Sequence, residues 1–315
     1  MACSLPCIVI AVVASTAVAH AAPGSDEPEV ASPSAPDTNV VQPGNQTDPA
    51  VPLSTVLRDR LVRANDVPFE TTHYVLTAGL LATGVGFELG LRPTESHWQG
   101  GALFDDSARS FVRLRSDEAR QNAGTASDVI ILGLLAMPLA DAAVVAARGD
   151  GALAWKMFMI DAESFAMSAT VLALTRNLVG RERPYVQDCD SDAAHHGCGT
   201  DDARRSFMSG HTAMAFTAAG LICTHHSELD IYGGAADTAT CVLATSAAAA
   251  VGALRMMADN HYATDVLAGA AVGAFSGFIL PRLLHYGFGD GEPGSPSITP
   301  FVGTNYGGAV AQGSF

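Results

Sequence analysis

Positive charge is scarce in this 315-residue sequence. Lysine and arginine together number 17, against 32 aspartate and glutamate residues, so the formal net charge is −15. A nucleic-acid-binding surface needs clustered basic residues to neutralise phosphates, and this balance argues against nucleic acid as a partner. The chain also contains no glycine-rich nucleotide-binding loop. A small anionic ligand would have to be held by a local group of arginines.

The sequence also lacks the strict alternation of polar and apolar residues that a core sheet requires. Apolar residues instead recur at helical spacing in a chain that is 48% hydrophobic and only 16% charged. The apolar segments are 72–91, 127–147, 153–179, 210–224, 238–257 and 262–284. We therefore predict an all-α bundle of about six core helices. Ser127 or Asp128 would cap the second helix, and Pro281 would kink the last.

Composition divides the rest of the chain. Residues 1–21 combine an apolar run with a small-residue cleavage site, which predicts a signal peptide. They contain no lysine or arginine, so an uncleaved anchor is the alternative. Residues 22–52 are rich in Pro, Ser, Asp and Ala and are predicted to be a disordered linker. The tail, 287–315, fits either a short hairpin or a disordered segment.

Four cysteines remain once the signal peptide is removed: Cys189, Cys198, Cys223 and Cys241. An even number of cysteines in an exported protein predicts two disulfides. Three pairings are open, and the simplest joins Cys189 to Cys198 and Cys223 to Cys241.

Acidic residues interrupt several of the apolar segments. They are Glu88, Asp141, Asp161 and Glu163. Three membrane spans before the Cys189–Cys198 loop would also place that disulfide in the cytoplasm if the signal peptide is cleaved. Both points favour a fully exported helical domain in a bacterial periplasm or cell envelope. Acidic residues that face a bundle interior would instead allow membrane-spanning helices.

Three short segments carry side chains suited to phosphate chemistry. In the first, Arg176 and Arg183 are seven residues apart, about two helical turns, and Pro184 follows. Guanidinium groups match the geometry of phosphate oxygens. On its own, this pattern is also typical of a solvated basic helix end.

The second segment, Ser209-Gly210-His211, predicts the start of a helix, where free backbone N–H groups and the helix dipole attract an anion. Ser209 can donate its hydroxyl, and Gly210 lets the backbone approach an oxygen closely. His211 can protonate a leaving oxygen. Taken alone, the segment would also suit an ordinary serine cap followed by an unrelated histidine.

The third segment runs from Arg255 to Asp265. Arg255 lies near the predicted end of a helix, where it can reach a phosphate oxygen. His261 and Asp265 are four residues apart and would share one face of a helix. The carboxylate can then hold one imidazole nitrogen and leave the other free as a nucleophile. A surface pair is the ordinary alternative for this spacing.

In this order, the three segments resemble the type 2 phosphatidic acid phosphatase superfamily, which includes bacterial class A acid phosphatases and vanadium haloperoxidases. The family pattern is Lys, six residues, Arg-Pro; then Pro-Ser-Gly-His; then Ser-Arg, five residues, His, three residues, Asp. This chain departs from it at three positions: Arg176 replaces lysine, Met208 replaces proline and Leu254 replaces serine. The resemblance covers about 70–285, within a phosphatase domain predicted at 53–286.

The resemblance implies a metal-independent phosphatase that needs no cofactor and acts on a phosphate monoester or pyrophosphate, most simply of a lipid. His261 would attack phosphorus and form a phosphohistidine, Asp265 would orient it, and His211 would protonate the leaving oxygen. The residues that would bind the phosphate are Arg176, Arg183, Ser209, Gly210 and Arg255. A soluble phosphate ester is the other substrate class left open.

Two other functions stay open at this point. A vanadate-dependent haloperoxidase would hold vanadate in the same pocket, with His261 as its ligand. A non-catalytic relative that binds phosphate or a lipid phosphate would fit the departures at Met208 and Leu254. Retention of both histidines and of Asp265 favours an enzyme. The sequence leaves membrane association and oligomeric state open.

Overall fold

The computed structural model describes residues 71–90, 93, 95–189, 197–287, 297–302 and 307–312. The predicted signal peptide, 1–21, and the predicted linker, 22–52, lie outside the described residues, as does the beginning of the predicted phosphatase domain. The cysteine-flanked loop is described only up to 189 and again from 197.

Seven α-helices form the described part of the phosphatase domain. They are α1 (Thr71–Gly90), α2 (Asp105–Val112), α3 (Asp117–Ala147), α4 (Gly151–Val179), α5 (Gly210–Leu229), α6 (Ala235–Met257) and α7 (Ala263–Ala274). The last helix continues through two π-helical turns, Phe275–Ile279 and Arg282–Tyr286. Short 3-10 turns lie at Pro184–Asp188 and Asp201–Arg204. The all-α prediction is confirmed, and each of the six predicted apolar segments lies on a long helix.

The tail contains a hairpin, one of the two structures expected for it. Strand β1 (Ser297–Val302) pairs antiparallel with β2 (Gly307–Gln312), so that Ser297 lies opposite Gln312.

Two local predictions about the helices were wrong or incomplete. Helix α3 begins at Asp117 and is capped by Ser116, whose side chain accepts a hydrogen bond from the Ala119 N–H at 3.3 Å. Ser127 and Asp128 therefore lie inside the helix. The apolar segment begins after the helix does, because the first turns of the helix are polar. Pro281 lies between the two π-helical turns, where its missing N–H removes one bond of the helical ladder.

Helix α5 is the central helix of the bundle. Fifteen of its 20 residues are buried, and it packs against α3, α4, α6 and α7. Small side chains dominate its contact surface, including Ala215, Ala218 and Ala219. Small residues let neighbouring helices approach closely and give the central helix a fixed position. The N-terminus of α5 is therefore held rigidly at one end of the bundle.

A row of glycines brings α7 directly onto α5. A Cβ atom at Gly269, Gly273 or Gly277 would collide with a backbone carbonyl oxygen of α5. The three glycines are four residues apart and so lie on one face of the helix. This row places the start of α7 beside the start of α5.

Gly273→Ala is expected to destabilise the bundle by about 1–3 kcal/mol, because its Cβ would meet the Ala213 carbonyl oxygen. Thermal unfolding of the purified protein measures the effect. Gly79→Ala is the matched control, since no atom of the described residues lies within 4 Å of a Cβ at that position of α1. Equal melting temperatures for the two variants would show that the contact between α5 and α7 is looser than described.

The outward faces of the long helices are strongly apolar. Exposed large hydrophobic residues include Val75, Leu81, Val85, Leu89, Val129, Leu132, Leu139, Val242, Leu243, Leu267, Phe275 and Ile279. By length and composition, α3, α4, α6 and the helix Ala263–Tyr286 could each cross a membrane. A large exposed apolar surface of this kind marks a contact with lipid or with another protein.

Three of the four acidic residues that interrupt the apolar segments point into the bundle, whereas Glu88 is partly exposed and pairs with Arg205. Asp141, Asp161 and Glu163 are at most 3% exposed, and each contacts a histidine. Polar groups inside and apolar groups outside are the arrangement of helices in a bilayer. The structure thus favours membrane association over the water-soluble exported domain that the sequence favoured.

Both disulfides of the simplest pairing are present. Cys189 is bonded to Cys198 at the end of the bundle where α4 ends, and Cys223 is bonded to Cys241, which ties α5 to α6.

Candidate active site

The three sequence segments meet at one end of the bundle. Arg176 is in the last turn of α4, Arg255 is in the last turn of α6, and α5 begins with Gly210. His261 precedes α7, and Asp265 lies in its first turn. The charges of Arg176, Arg183, Arg255 and His211 all act on the His261 imidazole. The structure therefore brings these residues into one electrostatic environment.

The imidazole of His261 is buried in a single tautomer. Its Nδ1 lies 2.9 Å from the carbonyl oxygen of Ser206. A carbonyl oxygen can only accept, so Nδ1 carries the hydrogen and Nε2 carries a lone pair. Nε2 is buried and has no hydrogen-bond partner among the described residues. A buried, unpaired basic nitrogen is suited to bond to an electrophile.

The surroundings of His261 keep it neutral. Burial, reinforced by the positive charges of Arg183, Arg255 and Arg176, holds the pKa of His261 well below its usual value. A lowered pKa means that the ring stays unprotonated even in mildly acidic solution. The Nε2 lone pair is therefore available at neutral pH.

Asp265 lies within ion-pair distance of His261, as the sequence predicted, but makes no direct hydrogen bond to its imidazole among the described residues. His261 lies before Tyr262, the N-cap of α7, so the two residues do not share a helical face. The distance from His261 Nδ1 to Asp265 Oδ2 is 3.8 Å. Asp265 Oδ2 accepts instead from the Ser206 hydroxyl at 2.5 Å and from the Tyr262 N–H at 2.9 Å. Asp265 thus orients His261 indirectly, through the residue whose carbonyl holds the imidazole.

Arg181 forms an ion pair with Asp265, and it was not predicted from the sequence as a site residue. Its guanidinium donates to Asp265 Oδ1 at 2.6 Å and to Asp105 Oδ2 at 2.7 Å. It also lies between the rings of Trp98 and Tyr262, at 4.0 and 4.1 Å from their centroids. The side chains of Arg181, Asp105 and Asp265 are all 0% exposed. The position of Arg181 between Arg176 and Arg183 could have indicated a role in the site. Its partners could not be predicted, because they are distant in sequence.

Arg176 lies over the start of α5. Its Nε donates to the Met208 carbonyl oxygen at 3.3 Å, and a Cβ atom at Gly210 would overlap its guanidinium. Gly210 is therefore needed for the close approach of Arg176. Met208, at the position of the family proline, is buried against Leu172 and Ala213.

Arg183 does not continue the helix of Arg176. Helix α4 ends at Val179, and Gly180 follows in the left-handed conformation at φ +56°. The predicted separation of two helical turns is thus wrong, because a turn and an extended segment connect the two arginines. Arg183 forms an ion pair with Asp202 at 2.7 Å.

If the chain is the phosphatase that the sequence resemblance implies, Gly210→Ala is expected to lower kcat/KM for phosphate release by about 10²–10³-fold, the usual cost of losing one donor to a transition-state oxygen. The added Cβ would displace the Arg176 guanidinium. Steady-state kinetics provides the measurement. Gly133→Ala in α3 is the control, because its Cβ would have no neighbour within 4 Å in the part of the chain that the structure describes. Unchanged kinetics for Gly210→Ala would show that Arg176 does not bind the phosphate.

A helix begins at Gly210, as the sequence predicted, and Ser209 is its N-cap, which was the alternative role given for this serine. Its Oγ lies 3.5 Å from the Thr212 N–H and 2.9 Å from Thr212 Oγ1. The first backbone N–H groups of a helix have no partner within it, so those of Gly210 and His211 are suited to bind an anion. Ser209 itself is fully buried, and its hydroxyl serves as the cap.

Asp128 links His211 to Arg255. Its Oδ1 lies 2.9 Å from His211 Nε2 and 3.1 Å from Arg255 NH1. Arg255 also donates to the Ser127 hydroxyl at 3.2 Å. The residues that were predicted to cap α3 therefore position a site histidine and a site arginine. The presence of a carboxylate within an apolar helix was the signal for such a role.

An apolar cavity opens from this site. Its volume is about 420 Å³, and Arg176, Gly210 and His211 line it together with the polar side chains of Glu88 and Thr170. Most of the other lining residues are apolar: Leu81, Gly84, Val85, Ile131, Leu135, Ala169, Leu172, Ala173 and Met214. Leu81 and Val85 are also exposed on the outer face of α1, at 47% and 55%. The cavity therefore joins an anion-binding end to the apolar surface of the bundle.

Part of the chain matches a known protein family. Residues 159–288, which contain all three motifs, match the PAP2 superfamily. A solved structure similar to this chain is the crystal structure of the first transmembrane PAP2 type phosphatidylglycerolphosphate phosphatase from Bacillus subtilis. It is 15% identical with a TM-score of 0.41, and the match covers 73% of this chain and 93% of that one. No curated protein matches the sequence significantly.

Proposed function

We propose that this chain, whose resemblance to the PAP2 superfamily is confirmed over residues 159–288, is a metal-independent lipid phosphate phosphatase of the cell envelope. The observation that carries the proposal is the unpaired Nε2 of buried His261 in an arginine-rich site that continues into an apolar cavity. A nucleophile, an anion-binding site and an apolar cavity are the three elements that hydrolysis of a lipid phosphate requires.

The phosphate is held by arginines and backbone amides. Arg176, Arg183 and Arg255 supply positive charge, and the first N–H groups of α5 supply donors at fixed positions. Negative charge grows on the phosphoryl oxygens in the transition state, and donors already in place stabilise it without reorganisation. The positive charge that a metal ion would contribute is thus provided by side chains.

The chemical step begins at His261. Its Nε2 lone pair attacks phosphorus in line with the leaving oxygen, so that an N–P bond forms as the P–O bond to the lipid breaks. The ring becomes positively charged in the phosphohistidine. Nδ1–H remains bonded to the Ser206 carbonyl, and the Asp265 carboxylate at 3.8 Å stabilises the charge.

His211 acts first as the general acid and then as the general base. It protonates the leaving alkoxide, and the neutral imidazole then removes a proton from the water that attacks the phosphohistidine. That second attack breaks the N–P bond, releases inorganic phosphate and restores neutral His261. Burial and the charge of Arg255 lower the pKa of His211 to about 4; Asp128, 2.9 Å from His211 Nε2, counteracts this shift in part and orients the ring.

The apolar lining of the cavity favours a lipid phosphate as the substrate. A phosphate bound near Arg176 and His211 leaves its alcohol group beside a space lined by apolar side chains. An acyl chain in that space would pass Leu81 and Val85 and reach the outer face of α1. A lipid would then enter sideways from a bilayer while its headgroup stays at the end of the bundle.

The proposal is tested by phosphate release with EDTA present from long-chain phosphatidic acid, dihexanoyl phosphatidic acid and p-nitrophenyl phosphate. We expect the long-chain lipid to give the highest kcat/KM. Preference for the soluble ester would reject the lipid assignment. Halide oxidation after vanadate addition, without phosphate release, would establish a haloperoxidase. Phosphate binding without any turnover would indicate a binding protein.

Ala169→Phe is expected to raise KM for the long-chain lipid by about 10-fold while leaving p-nitrophenyl phosphate hydrolysis unchanged, because the larger side chain would fill the cavity. The same assay measures both substrates. Ala143→Phe, at an exposed position of α3 outside the cavity, controls for an added aromatic group on the bundle. An equal effect on both substrates would mean that the cavity does not hold the acyl chain.

A further inference from the structure

A second polar cluster lies at the opposite end of the bundle from the active site. His73 is in the first turn of α1, Glu163 is on α4, and His285 is near the end of the α7 extension. All three are at most 6% exposed. One ligand atom of each residue lies within 4.8 Å of the other two.

The carboxylate of Glu163 lies between the two imidazoles. Its Oε1 is 3.3 Å from His73 Nδ1, and its Oε2 is 2.7 Å from His285 Nε2. The two rings have centroids 4.7 Å apart. Two imidazole nitrogens and one carboxylate are a donor set that zinc and related divalent ions use in proteins. The three residues come from widely separated parts of the sequence, so the fold itself assembles the set.

We propose that His73, Glu163 and His285 form a binding site for a divalent transition-metal ion, with zinc as the best-suited ion. The three side chains would occupy three positions of a tetrahedral site and leave the fourth to water or another donor. Two nitrogen ligands and a carboxylate are poorly suited to magnesium and calcium, which prefer oxygen.

The helix geometry at His285 supports the assignment. His285 belongs to the π-helical turn Arg282–Tyr286, and such turns are frequent at functional sites. The turn directs two consecutive side chains inward, since the Tyr286 hydroxyl also lies 2.8 Å from His225 Nδ1. Asp161, two residues before Glu163, lies 2.9 Å from the other nitrogen of the same His225. His225 thus fixes Tyr286 and Asp161, which neighbour two of the proposed ligands along the chain.

Charge gives a reason for an ion at this place. Burying a carboxylate among apolar helices is costly unless a positive charge offsets it. A divalent ion would offset the charge of Glu163 and bind both imidazoles in their neutral form. It would also link α1 to α4 and to the end of the α7 extension. We therefore assign the ion a structural role.

The proposed ion would be remote from phosphoryl transfer. Glu163 and Arg176 are 13 residues apart on α4, which corresponds to about 20 Å along the helix. The metal site is therefore independent of the proposed phosphatase reaction, and each proposal can fail without the other.

The test uses the full-length protein, purified in detergent without a polyhistidine tag. After incubation with zinc and gel filtration, elemental analysis should find about one zinc per chain in the wild type. His73→Ala and His285→Ala should lower the zinc content at least 10-fold. His226→Ala is the matched control, because His226 is equally buried and contacts Asp141 and Asp237 outside the proposed site. Zinc binding should be retained in this control.

A second measurement distinguishes loss of the metal site from misfolding of a variant. Cobalt(II) bound in a four-coordinate site absorbs strongly in the visible range, and we expect this absorption in the wild type. Glu163→Gln keeps the size and hydrogen-bonding capacity of the side chain but removes the anionic ligand, so the band should be lost while the melting temperature shows a folded protein. The proposal is wrong if folded wild type takes up neither ion, or if Glu163→Gln binds both as the wild type does.

Discussion

His261→Ala is expected to lower phosphate release from a lipid phosphate by about 10⁴-fold or more, the scale of losing a catalytic nucleophile. Nε2 of His261 is the atom that would form the bond to phosphorus, and water cannot replace it at the same position. Single-turnover kinetics with EDTA present measures the loss. Thermal unfolding should be checked in parallel, because the buried ring also bonds to Ser206.

The intermediate gives a direct readout of the same prediction. Wild type mixed with ³²P-labelled substrate and quenched in alkali should carry label that is stable in base and released by acid, as expected for phosphohistidine. His261→Ala should carry none. His226→Ala is the control, since it removes a buried histidine that also contacts carboxylates. Undiminished turnover or labelling in His261→Ala would place the nucleophile elsewhere.

Arg181→Ala is expected to destabilise the protein by about 3–5 kcal/mol, the cost of breaking a buried ion pair on one side. Asp105 and Asp265 would both lose their guanidinium partner while remaining fully buried. The stacking of the guanidinium between Trp98 and Tyr262 would also be lost. The midpoint of thermal unfolding in detergent measures the effect.

Two further variants distinguish the effect of losing the buried charge of Arg181 from the effect of shortening an arginine side chain. Arg115→Ala removes an exposed arginine, and its effect should stay within about 0.5 kcal/mol. Arg181→Met combined with Asp105→Asn removes one uncompensated carboxylate and should recover part of the stability lost in Arg181→Ala. If Arg181→Ala unfolds at the wild-type temperature, the buried network does not hold the site together.

The sequence was a good guide wherever the information was local. An apolar segment of helical length predicts a helix whatever its neighbours are, and all six predicted segments are helical. The start of α5 is similarly local, because Ser209 is a capping residue and Gly210 follows it. The motif spacing led to the family, a prediction that the match over residues 159–288 confirms.

Contacts between distant residues could not be predicted in this way. Arg181 and Asp105 are 76 positions apart, and Asp128 and Arg255 are 127 apart. The pairing of His261 with Asp265 is present at 3.8 Å, but the helical face predicted for it is not. Spacing of four residues implies a shared face only inside a helix, and α7 begins after His261.

The acidic residues of the apolar helices show a third limit. Counting charges in a segment reveals nothing about the direction in which each side chain points. Asp141, Asp161 and Glu163 all face histidines inside the bundle, so they do not oppose a lipid environment outside it. Only the packing of all the helices decides the direction.

Asp265 connects two parts of the active site through two different groups. Its carboxylate holds Ser206 and the start of α7, while its backbone carbonyl accepts the Ser209 N–H at 3.1 Å. Thermal displacement of the turn that bears the nucleophile must therefore carry the phosphate-binding turn along with it. In the proposed mechanism, Asp265 would therefore limit the variation in the distance between His261 Nε2 and a phosphate bound at the start of α5. We infer that this joint motion keeps the attack geometry constant even when lipid or detergent deforms the surrounding helices.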